Sequence, residues 1–176
     1  FQTISLITTT GFSTCDFNLW PSFAKMILFF VMFTGACAGS TGGGLKVSRL
    51  IVWVKSIRNE VLSVIHPHSV KKVHLDGRAL SGEVIHSIHL YLIIYVCIYI
   101  VSVILISVDN FSFETNVSAV MAAMNNIGPG FDVVGPTGNF GGFSVFSKCV
   151  LMFDMLAGRL ELLPILVVFS ARTWKK

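Results

Sequence analysis

The sequence predicts an all-α membrane protein in which short re-entrant helices alternate with longer ones. Of its 176 residues, 53% are hydrophobic and only 12% are charged, and the mean hydropathy of +0.76 exceeds that of an average soluble domain. A helix needs about 20 apolar residues to cross a bilayer. Three stretches approach that length, namely residues 19–37, 85–108 and 140–156, the last with a continuation past polar breaks to residue 169.

The basic residues indicate which ends of these spans face the cytoplasm. Between the first and second span lie Lys46, Arg49, Lys55, Arg58, Lys71, Lys72 and Arg78, and after the third lie Arg172, Lys175 and Lys176. Positively charged loops stay on the cytoplasmic side of a membrane. Residues 109–139 contain no Lys or Arg, so we expect them outside the cell. Because the chain opens with neither Met nor a basic stretch, we expect no signal peptide and a truncated front.

The external segment contains a further helix that is too short to cross the membrane. Residues 113–127 are moderately apolar and follow Ser112, which suits a helix start. Gly128, Pro129 and Gly130, within the sequence NNIGPGF, break this helix and predict an extended return. Residues 1–14 repeat the same order, because a short apolar stretch ends there in a Thr-rich turn with one glycine.

These two turns have the chemistry of a cation filter. Non-helical backbone at membrane depth must be buried in protein or line water, because an unsatisfied amide in lipid costs several kcal/mol. The turn at residues 8–14 offers carbonyl and hydroxyl oxygens, and Gly11 can adopt backbone angles that are costly for other residues. The turn carries no charged side chain, whereas a divalent ion more usually recruits carboxylates. We therefore expect a pore for a monovalent cation.

A glycine-rich segment, AGSTGGGLK at residues 38–46, interrupts the chain after the first span. It resembles a phosphate-binding P-loop but lacks its order, because Leu45 stands at the lysine position and Val47 follows Lys46. Glycines in mid-membrane unwind a helix instead, which predicts a movable gate beneath the filter. Close helix packing through small residues is the alternative.

Arg159 lies deep within the last apolar span, where a charge costs at least a few kcal/mol. We expect it to face the pore, or alternatively to pair with another helix for assembly. Asp154 and Glu161 share a helical face and Arg159 points elsewhere, so an intrahelical ion pair is not predicted.

The cytoplasmic stretch at residues 59–82 predicts a small β-hairpin. Val70, Val73 and Leu75 alternate with polar residues, and Asp76 with Gly77 forms a turn. The basic residues around it either touch a protein partner or face lipid headgroups.

Several other functions are not predicted. The five histidines lack ligand spacing, and the four cysteines form no CxxC pair, so we expect no resident metal and cysteines that are small buried hydrophobes. A basic groove with stacking aromatics is absent from the sequence, which argues against nucleic acid. No catalytic constellation is present, which argues against an enzyme.

Five ordered motifs identify a known family. They are TTTGFST at residues 8–14, GACAGSTGGGLKVSR at 35–49, NNIGPGF at 125–131, GPTGNF at 135–140 and GRLELLP at 158–164. Through them the chain resembles, over nearly its whole length, the Trk/Ktr/HKT superfamily of potassium transporters, and most closely its TrkH-type membrane subunits. The resemblance implies a fold of the potassium-channel-like type, with four repeats of helix, re-entrant pore helix and filter, and helix around one pore. As the C-terminal half, the chain would hold the end of the third repeat (1–60), a cytoplasmic hairpin linker (61–83) and the fourth repeat (84–176).

The resemblance also implies a function and the residues that carry it. The function is potassium uptake across the cytoplasmic inner membrane of a bacterium, by a multi-pass protein without a cofactor other than the transported K⁺. The filter residues that bind K⁺ would be Thr9, Thr10, Gly11, Asn126, Ile127 and Gly128. The gate residues would be Gly39, Ser40, Thr41, Gly42, Gly43, Gly44 and Arg159.

The implied partners complete the pore and regulate it. They are the missing N-terminal repeats of the same protein, a second copy in a homodimer, a TrkA-like nucleotide-binding regulatory subunit at the cytoplasmic face, and the lipid bilayer. A sodium-permeable member of the superfamily and a non-conducting structural subunit are the alternatives, and both channel-like and symport mechanisms stay open. Because two filters form half of a fourfold ring, the chain alone should not conduct.

Overall fold

The computed structural model describes residues 1–35, 37, 40, 43–65, 73–75 and 77–159. Within these ranges the chain forms six α-helices and one two-stranded hairpin. In chain order they are α1 (Gln2–Ile7), α2 (Ser22–Phe33), α3 (Val47–Ile65), β1 (His74–Leu75), β2 (Arg78–Ala79), α4 (Gly82–Ile106), α5 (Phe113–Met124) and α6 (Val145–Arg159).

Helix α4 confirms the predicted second span. It is 25 residues long, and Glu83 in its first turn complements the helix dipole. A 3₁₀ turn continues it to Asp109, and the chain then reverses at Asn110, whose φ of 56° is left-handed. Among the described residues, Gly82–Asp109 is the one helical segment that is long and apolar enough to cross a membrane.

The first span, predicted at residues 19–37, is wrong in its limits. Helix α2 begins after Pro21 and has only 12 residues, because the chain turns out of the helix at Thr34. The backbone amide of Gly35 then donates to the Leu45 carbonyl at 2.8 Å, so the two flanks of the glycine-rich segment lie next to each other. Helix α3 resumes at Val47, so the predicted break of the helix is confirmed. Helix α3 continues to Ile65, and the first residues of the predicted linker are therefore helical.

The third span also begins later than the predicted residue 140. Phe140–Gly142 forms a 3₁₀ turn, in which the Asn139 side chain accepts from the Gly141 amide. Helix α6 begins at Val145, where the Ser144 hydroxyl accepts from the Ser147 amide at 3.2 Å. The predicted continuation to residue 169 lies outside the described residues.

The predicted β-hairpin is present in the described residues. Strands β1 and β2 are antiparallel, with His74 opposite Ala79 and Leu75 opposite Arg78. Gly77 lies in a turn between the strands, while Val70 and Asp76 lie outside the described residues. Lys55 on α3 donates to the His74 carbonyl at 2.9 Å and holds the hairpin against that helix.

Helix α5 is the centre of the fold. Its residues from Ala119 to Met124 are all buried, although the helix has only 12 residues. Helices α4 and α6 pack against it, with Ile106, Phe143 and Leu151 in the shared core. A short helix that is enclosed by longer ones is the geometry expected for the predicted re-entrant helix, since its backbone ends can be satisfied there.

The prediction that the four cysteines are buried is wrong for this chain, since all are exposed. Cys97 and Cys149 line an apolar groove between α4 and α6, on the outward faces of both helices. Cys15 and Cys37 lie in loops. Apolarity in the sequence does not distinguish a face toward the core from a face toward lipid.

Candidate ion-binding site

Each short helix ends in a turn with the same backbone hydrogen-bond pattern. In the first turn (residues 8–11) the amides of Thr8, Thr9 and Thr10 donate to the carbonyl groups of Ile4, Leu6 and Ser5, at 2.9, 3.2 and 2.9 Å. In the second turn (residues 125–128) the amides of Asn125, Asn126 and Ile127 donate to those of Met121, Ala123 and Ala122, at 3.1, 3.0 and 2.9 Å. The patterns match with a constant shift of 117 residues, from Thr8 to Asn125. The repeat that the sequence indicated only by segment order is therefore present residue by residue.

The two turns share their unusual backbone angles as well. Thr9 and Asn126 have φ values of 56° and 54°, and Gly11 and Gly128 follow at 77° and 108°. A left-handed angle is a genuine outlier for a β-branched residue such as Thr9. Strain of this kind persists only where the surroundings enforce it, and it clusters at functional sites.

The carbonyl oxygens of the predicted filter residues are available to a ligand. Within the described part of the chain, no group donates a hydrogen bond to the carbonyls of Thr9, Thr10, Gly11, Asn126, Ile127 or Gly128. These oxygens can therefore accept from water or contact a cation.

The structure brings the two turns together. A Cβ on Gly11 would collide with the Ile127 carbonyl oxygen and lie 3.2 Å from Pro129, so only glycine fits between the turns. On the Cβ side of Gly128, by contrast, no described atom lies within 4 Å. Five of the six predicted residues line one open cavity of about 730 Å³, namely Thr9, Thr10, Asn126, Ile127 and Gly128. Gly11 is not part of that lining but contacts Ile127, which is.

Polar side chains of the short helices hold the segments that follow the turns. The Ser5 hydroxyl donates to the Phe12 carbonyl at 2.6 Å. In the other repeat, the Ser118 hydroxyl accepts from the Phe131 amide at 2.9 Å. The Asn126 side chain donates to the Met155 carbonyl of α6 at 3.0 Å. Side chains therefore fix the backbone that follows both turns, as a preorganised site requires.

A polar contact on the predicted outer side joins the two repeats. The Asn18 side chain donates to the Asp132 carbonyl at 3.2 Å and accepts from the Asp132 amide at 2.9 Å. The Asp132 carboxylate accepts from the hydroxyls of Ser112 and Thr115, the latter at 2.8 Å. These two hydrogen bonds lower the pKa of Asp132, and the bond from Ser112 has the larger effect. Residues separated by more than a hundred positions thus fix the spacing of the turns.

Lys148 is a functional candidate that the sequence reasoning missed. It lines the same cavity as the turns, and its ammonium group donates to the Gly141 carbonyl at 2.9 Å. The signal in the sequence was a basic residue in the middle of the third apolar stretch, residues 140–156. A fixed positive charge there acts on any cation that approaches the turns.

The predicted gate residues are only partly described. Gly39, Thr41 and Gly42 lie outside the described residues, Ser40 is half-buried, and Gly43 and Gly44 are buried. A Cβ on Gly43 would lie 2.8 Å from the Asn125 carbonyl oxygen, and one on Gly44 would collide with the Asn125 side chain. The glycine-rich loop therefore rests on the residue that precedes the filter residue Asn126. Arg159 is exposed at the end of the described part of α6.

Further hydrogen bonds join α4 to α5 and α6. Tyr99 donates to the Val117 carbonyl of α5 at 3.0 Å. Ser102 donates to the fully buried Asp154 of α6 at 2.7 Å. Sequence reasoning noted only the helical face of Asp154, because its partner lies 52 residues away.

Comparison with known proteins places these features in a family. The sequence profile of the TrkH family, described as "Cation transport protein", matches residues 1–176. The chain is 37% identical over 179 residues to the "Trk system potassium uptake protein TrkH" of Salmonella typhimurium, covering 100% of the chain and 36% of that protein. It is 29% identical over 175 residues to the "Trk system potassium uptake protein TrkG" of Escherichia coli, covering 99% of the chain and 36% of that protein.

A solved structure agrees with these relatives. The crystal structure of the potassium transporter TrkH from Vibrio parahaemolyticus superimposes with a TM-score of 0.86 and 34% sequence identity. The match covers 99% of this chain and 37% of that one. The chain thus spans just over a third of the length of the proteins that it matches.

Proposed function

This chain belongs to the TrkH family of cation transport proteins, and we propose that it forms part of a pore for potassium uptake across the bacterial cytoplasmic membrane. The relatives named above are potassium uptake proteins, and the described fold is an all-α fold of this transporter family. The proposal concerns the parent protein, of which this chain would be one portion.

One observation carries the proposal, namely the pair of matched turns that line one cavity. Their carbonyl groups accept no hydrogen bond from the described residues. Carbonyl dipoles replace the hydration shell of a weakly hydrated cation such as K⁺. No carboxylate belongs to either turn, which favours a monovalent over a divalent ion. In this proposal, main-chain oxygens of Thr9, Thr10, Gly11, Asn126, Ile127 and Gly128 bind K⁺.

The glycine-rich loop serves as the gate in the same proposal. Gly35 donates to the Leu45 carbonyl, and Gly43 and Gly44, which directly precede Leu45, pack on Asn125 next to the predicted filter residue Asn126. A segment so placed can obstruct the pore and open it by moving. Arg159 would add an electrostatic barrier for cations on the cytoplasmic side.

The proposed partners follow from the incomplete ring. Two turns supply half of a fourfold site, so in this proposal N-terminal repeats of the parent supply the other half. The complete parent protein would form a homodimer with a second copy of itself. The hairpin and the basic residues of α3 form the predicted cytoplasmic face, which suits a nucleotide-binding regulatory subunit.

The proposal is tested with the full-length parent protein in lipid vesicles. Fluxes of K⁺ and Na⁺ are measured separately, each under an imposed membrane potential of either sign, with protein-free vesicles as the control. We expect K⁺ flux that greatly exceeds Na⁺ flux. Equal fluxes would instead support a sodium-permeable member of the family. Flux no greater than in protein-free vesicles would support a structural subunit.

A further inference from the structure

The C-terminus of α2 is capped by a residue from the other repeat. The last four carbonyls of a helix have no intrahelical donor. At this helix end the Thr34 amide donates to the Phe30 carbonyl at 3.2 Å, and the Thr34 hydroxyl donates to the Val31 carbonyl at 3.0 Å. The carbonyl of Met32 accepts instead from the side-chain amide of Asn125, at 2.8 Å. Asn125 therefore satisfies the helix end at the point where the glycine-rich loop begins.

The Asn125 side chain is fully buried and bonded at both ends. Its oxygen accepts from the Tyr95 hydroxyl at 2.8 Å, and its nitrogen also lies 2.9 Å from the Met121 sulfur. The far end of the loop, at Gly43 and Gly44, packs against the same residue. Asn125 thus contacts both the C-terminal turn of α2, which precedes the loop, and Gly43 and Gly44 near the end of the loop. It also directly precedes Asn126, a predicted filter residue.

Tyr95 extends these contacts to the other half of the broken helix. Its ring packs edge-on against Phe33 at 5.6 Å and stacks on Tyr91 at 6.3 Å. The guanidinium of Arg49, in the first turn of α3, lies 4.0 Å from the centre of the Tyr91 ring. Contacts therefore run from the half-buried Arg49 at the start of α3 through the buried Tyr91 and Tyr95 to Asn125.

We propose that Asn125 is a positioning residue that couples the conformation of the glycine-rich loop to the second turn. The inference rests on the function proposed above. If the loop moved so that α2 continued as a helix, the Met32 carbonyl would accept from its own helix and release Asn125. With Asn125 in place, the broken helix and the present second turn stabilise each other.

The test uses the full-length parent in lipid vesicles, with every cysteine except Cys37 replaced by serine. Cys37 is exposed and directly precedes the glycine-rich segment, so the rate at which a water-soluble methanethiosulfonate reagent modifies it reports a change in the position of that segment. The variants are Asn125→Ala and Tyr95→Phe, and unstimulated K⁺ flux is measured beside the modification rate. Tyr99→Phe is the matched control, because it removes a hydroxyl from the same helix one turn away, where the partner is Val117.

We expect Asn125→Ala and Tyr95→Phe each to change the Cys37 rate and the flux by about five- to tenfold, the size expected for one buried hydrogen bond. The double variant should match Asn125→Ala alone, because both changes break the same bond. Tyr99→Phe should remain within about twofold of the wild type.

Unchanged Cys37 rates in Tyr95→Phe and Asn125→Ala, or equal changes in Tyr99→Phe, would overturn the coupling. Because Tyr95→Phe deletes a single atom, it decides the outcome even if Asn125→Ala does not reach the membrane. Absence of flux in the wild type would overturn the proposed function, while the Cys37 rates would still decide the coupling.

Discussion

At the scale of single residues, the two turns place strained backbone at the proposed cation site. Thr9 and Asn126 keep left-handed angles without being glycine. Such angles cost about 1–3 kcal/mol each and persist only under constraint from their surroundings. Ser5 and the Asn126 side chain supply that constraint through hydrogen bonds to Phe12 and Met155.

The two filter glycines should differ in their tolerance of alanine. Both have a positive φ, but a Cβ on Gly11 would collide with the Ile127 carbonyl, whereas the space beside Gly128 is open. Gly128→Ala should therefore cost only backbone strain, roughly 1–2 kcal/mol, and retain part of the K⁺ flux. Gly11→Ala should separate the turns and abolish K⁺ selectivity. Flux ratios of K⁺ to Na⁺ in vesicles test this order, and equal losses in both variants would contradict it.

Lys148 should slow the approach of cations to the turns. Its ammonium group lines the same cavity, so Lys148→Gln should raise K⁺ uptake at low ionic strength, by about fivefold for roughly 1 kcal/mol of repulsion. Salt screens such an effect, and the difference should shrink near 1 M salt. Lys25→Gln is the control, because Lys25 pairs with Glu114 at 2.9 Å and lies outside that cavity lining. A salt-independent change would argue for a packing effect.

The sequence could predict some of these residues and not others. Gly11 and Gly128 were predictable, because a glycine between a short apolar stretch and a polar turn has a local signature. Asn125 had no such local signature, since its proposed role depends on the Met32 carbonyl 93 residues away. The strain at Thr9 was likewise invisible, because threonine is an ordinary residue for a turn.

At the scale of elements, hydropathy predicted the order of helices better than their limits. The predicted limits of α4 were correct because the ends of this helix coincide with the ends of the apolar stretch. The first span was too long, because residues 34–37 carry no charge that would mark an end, while the backbone at Thr34 has already turned out of the helix. The third predicted span began too early, because Phe140 and Phe143 pack on each other within a turn that precedes the helix.

The N-terminus of α5 should make stability depend on pH. Ser112 caps this helix by accepting from the Thr115 amide at 3.1 Å, and both hydroxyls donate to Asp132. Because the pKa of Asp132 is lowered in the folded state, its stabilising contribution is present above the unfolded value of about 3.9 and is lost as pH falls through the folded pKa. The thermal midpoint of the wild type should therefore fall below about pH 4.

The variant Asp132→Asn separates this group from the other carboxyls. It should have a lower thermal midpoint than the wild type at pH 7, because the charge-assisted bonds are lost. The difference should vanish on acidification, as the wild type loses the same bonds. A difference that stays constant from pH 7 to about pH 3 would contradict this origin of the pH dependence.

At the scale of the whole molecule, apolar side chains are exposed on several elements. Examples are Phe23 and Phe30 on α2, Ile93 and Ile104 on α4, and Phe153 on α6. Apolar surface on this scale is rare on soluble monomers. Lipid and the remaining repeats of the parent can cover it, which agrees with a chain that spans just over a third of its relatives.

This incompleteness predicts how the chain behaves when it is expressed by itself. Two turns leave half of a ring of carbonyls missing, and a cation bound on one side only would keep part of its hydration shell and lose selectivity. The chain alone should therefore not restore growth of a potassium-uptake mutant at limiting K⁺. Co-expression with the N-terminal part of the parent should restore growth, and the same pair with Gly11→Ala should not. Growth supported by the chain alone would mean that several copies assemble a complete ring, which the oligomeric state in detergent would then reveal.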